Sequence, residues 1–263
     1  NLWGNIMNDG LSDSINFVFI DEGDIWGADD DTDIEYIYQH LMYTNQTSKL
    51  TAQQIRDGWL KHIYSDDNSP FFQSDGKTKE NYLWVSNQTA HDLMRKGMLP
   101  PETSLPENNP HYEMIDAQLT TEIFGFFAPT RPDVAIDIAQ LPIQTTAQYN
   151  AQWISEFYVI MYALASKVDA NWSNQEKTQW MASQARKRLP EKSYAAKMYD
   201  FVKAQYERSI PWEAARDSLY EKYQVREEDG YEWATKDPSC YGCFSAGINF
   251  GASIVSLLYG EGE

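Results

Sequence analysis

The sequence predicts an all-α protein, a single compact multi-helix domain in which about eight to ten helices pack around one core. Apolar residues recur with helical spacing in most long segments. No segment shows the sustained alternation of apolar and polar residues that is typical of a half-buried strand. The 263 residues suffice for one well-buried domain and contain no linker, so residues 1–263 are assigned to one domain. Both ends look truncated, because the chain begins at Asn1 without Met and stops directly after a helical pattern.

Apolar spacing and capping residues together predict the first two helices. An apolar pattern runs over residues 34–42, and Thr32 with Glu35 matches the Ser/Thr-x-x-Glu capping box at its start. A second capping box, Thr51-Ala-Gln-Gln54, precedes the apolar pattern of residues 55–63. Each box marks the residue at which a helix is expected to begin.

The remainder of the chain is predicted as one loop followed by further helices. Residues 65–80 are predicted to be a loop, because Pro and Gly interrupt a polar stretch. The last helical pattern carries Gly247 and Gly251 four residues apart, which permits close helix approach and indicates a central helix. The helical patterns after the loop cover residues 87–96, 133–140, 145–166, 173–188, 193–208, 212–223 and 244–259.

The charge of the chain limits the partners that it can bind. Its 39 acidic and 21 basic residues give a net charge of −18 and a pI near 4.5. This argues against nucleic acid as a partner, since phosphates require a positive surface. A negatively charged substrate would need local cations, which a bound metal could supply. No apolar run approaches the roughly 20 residues that span a bilayer, so no membrane span is expected.

The cysteines and the glycosylation sequons indicate little about function. Cys240 and Cys243 form one C-x-x-C, and the four histidines contain no spaced pair that would complete a zinc site. Two buried thiols or a local disulfide are expected, and the redox state stays open. Sequons at Asn45, Asn87 and Asn171 arise readily by chance. The compartment also stays open, with a secreted or periplasmic location preferred to the cytoplasm.

The acidic run from Asp29 to Glu35 places five acids in seven positions. Adjacent carboxylates without basic neighbours raise one another's pKa and cost stability unless a cation, a proton or solvent separates them. Part of the run has a structural explanation, because acidic residues favour helix starts and Asp33 lies between the capping residues Thr32 and Glu35. A cap needs one carboxylate and not three in succession. The residues predicted to bind a metal ion are Asp29, Asp30 and Asp31.

A calcium-binding EF-hand is the commonest Asp-rich alternative, and its spacing fails here. Counted from Asp29, residues Asp31 and Asp33 fall at positions 3 and 5 of such a loop. Position 6 requires Gly but holds Ile34, and position 12 requires a bidentate Glu but holds His40. An EF-hand is therefore not expected.

Asp29-Asp30-Asp31-Thr32 resembles the Thr-Asp-Asp-Thr segment of the ADP-ribosylglycohydrolase family, all-α proteins of the dinitrogenase reductase-activating glycohydrolase type. Asp116-Ala-Gln118 and Glu122-Ile-Phe-Gly125 resemble the family's central helix. Ala128-Pro129-Thr-Arg-Pro132-Asp133 resembles the turn and the helix that follow it. The helix of residues 244–259 is similar to the one that leads to the family's second Asp-rich motif. The likeness thus spans most of the chain.

The resemblance implies a magnesium-dependent hydrolase that cleaves an N- or O-glycosidic bond of ADP-ribose conjugates, small or protein-linked, at a site with two Mg²⁺ ions. It implies that Asp29, Asp30 and Asp31 bind metal and that Asp30 and Asp31 are catalytic. It further implies that Tyr112 and Asp116 contact the substrate. Clustered carboxylates suit this role, because Mg²⁺ prefers oxygen ligands.

Three departures from the family pattern qualify this expectation. Asp29 stands where the family has Thr and adds a negative charge to the site. The family's second Asp-rich motif is expected beyond Glu263, and its N-terminal Glu is expected before Asn1. The sequence is therefore expected to carry about half of a binuclear site.

Two alternative functions stay open. The same helical fold could be a pseudoenzyme or a ligand-binding module. The protein could also be a glycoside hydrolase that acts on another carbohydrate without metal, through a carboxylate pair such as Asp30 with Asp116. Activity that is insensitive to a chelator would indicate the metal-free enzyme.

Overall fold

The computed structural model of the protein describes residues 30–63, 71–72, 75–77, 79–80, 83–231, 244–260 and 262. The predicted metal ligand Asp29 and the Cys240–Cys243 pair lie outside these described residues. Within them the protein is helical apart from one pair of two-residue strands, which confirms the all-α prediction.

The described residues contain eleven α-helices, whereas eight to ten are expected from the sequence. The difference arises because residues 116–127, hereafter the central segment, form two separate short helices. In chain order the α-helices are Asp30–Thr44 (α1), Ala52–His62 (α2), Val85–Arg95 (α3), Asp116–Thr120 (α4), Phe124–Phe127 (α5), Pro132–Ile143 (α6), Tyr149–Leu164 (α7), Asn174–Arg186 (α8), Tyr194–Glu207 (α9), Trp212–Tyr220 (α10) and Ala246–Tyr259 (α11). The shorter helical turns are Glu102–Ser104, Glu221–Val225 and Glu228–Gly230.

The predicted loop of residues 65–80 contains the strand pair. Phe71–Phe72 (β1) and Lys79–Glu80 (β2) pair antiparallel, with Phe71 opposite Glu80. Strands this short leave no periodic pattern in the sequence, so the sequence does not predict the hairpin. After β2 the chain leads into α3, and Gly97 adopts a positive φ of 98° just beyond its end, at the predicted stop.

The capping box before α2 is confirmed. Thr51 is extended, its Oγ1 accepts a hydrogen bond from Gln54 N at 3.2 Å, and Thr51 N donates to Gln54 Oε1 at 2.9 Å. The same reciprocal arrangement starts α8 between Ser173 and Glu176. These helix starts are fixed by residues three positions apart, so the local sequence is sufficient to locate them.

The capping box predicted at Thr32 is wrong. Helix α1 already begins at Asp30, so Thr32 lies inside the helix and cannot precede it. Glu35, the expected second member of the box, instead accepts a hydrogen bond from Ile123 N at 3.1 Å. A long-range partner from the central segment has therefore replaced the local one.

One continuous core joins the helices, from Ile34 of α1 to Leu258 of α11. Helix α7 lies at its centre and packs against α4, α5, α6, α8, α9 and α11. Helix α11 approaches its neighbours closely, as predicted: a Cβ at Gly247 would lie 2.4 Å from Tyr231 Cε2, and one at Gly251 would lie 2.8 Å from Met198 Sδ. Among the described residues, no helix has both the length and the apolar character required to cross a membrane.

Helix α1 connects α2 and α3 to the centre of the molecule. It packs on α2 and on α4, and α2 in turn packs on α3. The N-terminal ends of α1, α3 and α4 thereby meet, and this junction contains the acidic residues singled out in the sequence.

Candidate functional site

A small cleft, hereafter the acidic cleft, lies where α1, α3 and α4 begin. Its volume is about 90 Å³, enough for a few water molecules or a hydrated ion. Asp31 and Asp116 supply its carboxylates, so residues from distant parts of the sequence meet there. The residues that line it are Asp31, Trp84, Val85, Ile115, Asp116, Leu119 and Phe244.

The first turn of α3 explains why two acids are buried at this place. Trp84 is the N-cap of α3 and has no side-chain acceptor for the free N–H groups of the first turn. Asp30 of α1 supplies the missing acceptor. Its Oδ2 accepts hydrogen bonds from Trp84 N at 2.9 Å and from Asn87 Nδ2 at 2.8 Å. Asp116 Oδ1 accepts another from Asn87 N at 3.0 Å. Asn87 therefore ties the two carboxylates to the same helix start, where the helix dipole favours negative charge.

Burial changes the protonation of Asp116. Asp30 and Asp116 are only 5% and 4% exposed. Burial raises the pKa of Asp116 from 3.8 to about 6, the Asn87 N–H opposes that rise, and the charge of Asp30 adds to it. Asp116 can thus hold a proton in mildly acidic solution and release it near neutrality, which suits an acid–base group.

Aromatic and apolar side chains form the walls of the acidic cleft. The rings of Trp84 and Phe244 lie 4.7 Å apart, and half of the Trp84 side chain is exposed. Phe244 is held by its carbonyl, which accepts a hydrogen bond from Ile115 N at 2.8 Å. Because the cleft itself is small, a larger ligand would place one polar group between the carboxylates and its remaining surface against these rings.

The carboxylate oxygens at the acidic cleft are of the ligand type that Mg²⁺ prefers. Asp31 is half-buried and lines the cleft with Asp116, and carboxylate oxygens are the ligands that Mg²⁺ prefers. No group of three or more His, Cys, Asp or Glu side chains in the described part of the chain is placed to hold a metal ion. Asp29, which is also predicted to bind the metal, directly precedes the first described residue, Asp30.

Tyr112, the predicted substrate contact, is not among the residues that line the acidic cleft. Its ring meets that of Tyr149 edge to face at 5.9 Å, and its carbonyl accepts a hydrogen bond from Gln148 N. These contacts join the turn before α4 to the start of α7. They give Tyr112 a packing role at a different position from Asp31 and Asp116.

Asn87 and Trp84 are the site residues that the sequence did not reveal. Asn87 is fully buried, so its sequon is not available for glycosylation in the folded protein, whereas Asn45 and Asn171 are exposed. The available signal was a helix start without its own capping side chain, which requires an acceptor from elsewhere. The sequence does not identify which acids supply it.

A second pair of acids, Glu35 and Glu122, connects α1 with the segment between α4 and α5. Burial raises the pKa of Glu122 from 4.5 to about 7, and the charge of Glu35 adds to that rise. Glu122 Oε2 is buried and makes no hydrogen bond with any residue that the structure describes. This pair does not line the acidic cleft.

Comparison of the chain with protein-family models, with curated proteins and with solved structures found no match. The likeness to the ADP-ribosylglycohydrolase family therefore rests on the motifs quoted from the sequence.

Proposed function

We propose that the protein is a magnesium-dependent hydrolase of the ADP-ribosylglycohydrolase type that cleaves an N- or O-glycosidic bond of ADP-ribose conjugates. The observation that supports this proposal is the meeting of Asp31 and Asp116 at one cleft, although α1 and α4 are far apart in sequence. Asp30 lies beside them, because it is bound to the same Asn87 as Asp116. Two of the motifs that carry the family resemblance thus lie side by side.

The residues at and beside the acidic cleft have different proposed roles. Asp31 with Asp29 and Asp30 would hold Mg²⁺, which when bound would lower the pKa of a water molecule and polarise substrate oxygens. Asp116 accepts or donates the proton, because its pKa of about 6 lies close to neutrality. Asp30 also positions the start of α3 through its bonds to Trp84 N and Asn87 Nδ2. The exposed face of Trp84 suits a base or a sugar ring of the substrate.

A metal-free glycoside hydrolase is the second candidate. One specific observation favours it: Asp116 has a raised pKa and lies within the field of a second carboxylate, Asp30. A pair of carboxyl groups, one of which can hold a proton, is the arrangement that glycoside hydrolysis requires. This enzyme would act on another carbohydrate and would not need magnesium.

Release of ADP-ribose from ADP-ribosylated peptides, measured with Mg²⁺ and with EDTA, tests the proposal. Asp31→Asn is the informative variant, because Asp31 lines the acidic cleft. Asp33→Asn is its matched control, since Asp33 is an exposed acid in the same turn of α1. We expect EDTA and Asp31→Asn each to lower the rate at least about 100-fold, while Asp33→Asn stays within about threefold of the wild type.

Other outcomes identify the alternatives. Hydrolysis that persists in EDTA and is lost in Asp116→Asn would replace the metal enzyme with the metal-free one. Mg²⁺-dependent binding of ADP-ribose without turnover would indicate the pseudoenzyme or binding module. An Asp31→Asn variant with wild-type activity would refute the assigned site.

A further inference from the structure

A groove of about 570 Å³, hereafter the basic groove, lies between the start of α6, the end of α7 and the end of α8. Its floor is apolar and is formed by Ile136, Ile160 and Leu164, while Trp180 forms a wall. It shares no lining residue with the acidic cleft. A volume of this size is typical of sites for small organic molecules.

The charge of the basic groove is opposite to that of the chain. Lys167, Lys187 and Arg188 line it with a single carboxylate, Asp133, and Glu156 pairs with Arg188 from beneath, which leaves a net charge of +1 in a chain with a net charge of −18. Lys187 Nζ donates to Gln184 Oε1 at 2.6 Å, and neither lysine forms an ion pair with any described residue. Two cations around an apolar floor thus lack the carboxylates that the chain has in excess.

Arg188 is fixed in place by a buried partner. Its Nε donates to Glu156 Oε2, and the Glu156 side chain is completely buried while the Arg188 side chain is 46% exposed. A guanidinium has five N–H donors in a planar fork, so this bond leaves others for a ligand. The pair orients one cation at the groove before any ligand arrives, and this lowers the ordering cost of binding.

We propose that the basic groove binds a small aromatic anion, with its ring against Trp180 and Ile136 and its phosphate, sulfate or carboxylate group among Lys167, Lys187 and Arg188. The apolar floor provides affinity for the ring. The cations select the anion and raise its local concentration. This inference is independent of the proposed hydrolase, because the two sites have no lining residue in common.

Calorimetric titration with 1-naphthyl phosphate tests this inference, with 1-naphthol as the uncharged ring and inorganic phosphate as the anion alone. The informative variant is the double substitution Lys167→Gln/Lys187→Gln, which changes two exposed side chains and leaves the Arg188–Glu156 pair intact. Lys96→Gln/Lys192→Gln is the matched control, because it removes the same charge from exposed positions that do not line the groove.

We expect saturable binding of 1-naphthyl phosphate to the wild type and the control, at least tenfold weaker binding to Lys167→Gln/Lys187→Gln, and at least tenfold weaker binding of 1-naphthol and of phosphate to the wild type. Asp31→Asn should bind 1-naphthyl phosphate as the wild type does. Absence of saturable binding, equal loss in both double variants, or equal binding of 1-naphthol would each overturn the inference. Loss of binding in Asp31→Asn would place the ligand in the acidic cleft and overturn it as well.

Discussion

Two pairs of acids connect α1 with residues 116–127, and the structure provides them with different hydrogen-bond donors. In the first pair, Asp30 and Asp116 accept three hydrogen bonds from the first turn of α3, two of them from Asn87. In the second pair, Glu35 accepts one bond from Ile123 N, and Glu122 Oε2 accepts none from the described residues. Three hydrogen bonds from α3 therefore hold the first pair, whereas the bond from Ile123 N holds Glu35 of the second.

The difference shows how a chain with excess acid can bury carboxylates in two neighbouring places. Donors at a helix start favour the charged form, and the Asn87 N–H opposes the rise in the pKa of Asp116 that burial causes. At Glu122, burial outweighs the backbone hydrogen bonds of Glu122 and Thr121, and the pKa rises to about 7. The two pairs should therefore respond differently to the loss of a donor, the loss of a charge and a change of pH.

Removing the side-chain donor of Asn87 should have the largest effect. Asn87→Asp replaces the amide that donates to Asp30 with a third carboxylate, and we expect the free energy of unfolding at pH 7 to fall by about 3–5 kcal/mol. Chemical denaturation measures this change. A loss below about 1 kcal/mol would show that the donors do not hold the first pair.

Asn171→Asp provides the control for that variant. Asn171 Nδ2 also donates to an aspartate, Asp169 Oδ1 at 3.0 Å, but both residues are exposed. Water replaces the lost partner there, so we expect a change within about 0.5 kcal/mol. Comparison of the two variants separates the effect of burial from the effect of the amide-to-carboxylate change.

Removing the charge of Glu122 should stabilise the protein. The folded pKa of about 7 exceeds the ordinary 4.5, so the stability that protonated Glu122 provides is complete below pH 4.5 and is lost as the pH rises through 7. Glu122→Gln mimics the protonated acid, and we expect it to raise the free energy of unfolding by about 1–3 kcal/mol at pH 8. The gain should disappear near pH 4.5.

Denaturation of Glu122→Gln at a series of pH values tests this, with the exposed Glu107→Gln as its control. A gain that stays constant with pH would contradict the protonated state of Glu122. Hydrolase activity, where the wild type has it, should be retained in Glu122→Gln, because Glu122 does not line the acidic cleft.

Asp116→Asn should give a smaller gain in stability and, where the wild type has hydrolase activity, a loss of that activity. The pKa of Asp116 rises from 3.8 to about 6, so the destabilising effect of its charge develops as the pH rises through that range. We expect a gain of about 1–2 kcal/mol at pH 8, reduced because the bond from Asn87 N loses its charged acceptor. Denaturation at pH 8 together with an activity assay measures both effects. A loss of stability would show that Asp116 serves α3 as a cap alone.

The same contrast explains what the sequence could predict. The capping box at Thr51 is predictable because both partners lie within four residues. The box at Thr32 failed because Glu35 bonds to Ile123, a contact that only the tertiary fold creates. Asp30, Asp31 and Asp116 could be chosen from their motifs, but the role of Asn87 depends on α3 meeting α1 and α4, which no local pattern shows.

The smallest predicted effect concerns the coupling within the second pair. Glu35→Gln keeps an acceptor for Ile123 N but removes the charge that helps to raise the pKa of Glu122. Since burial is the larger cause of that shift, we expect the pKa of Glu122 to fall by less than about one unit from its value near 7. Titration of the Glu122 carboxyl by NMR measures this. An unchanged pKa would mean that the two glutamates do not interact, and that burial alone keeps the proton on Glu122.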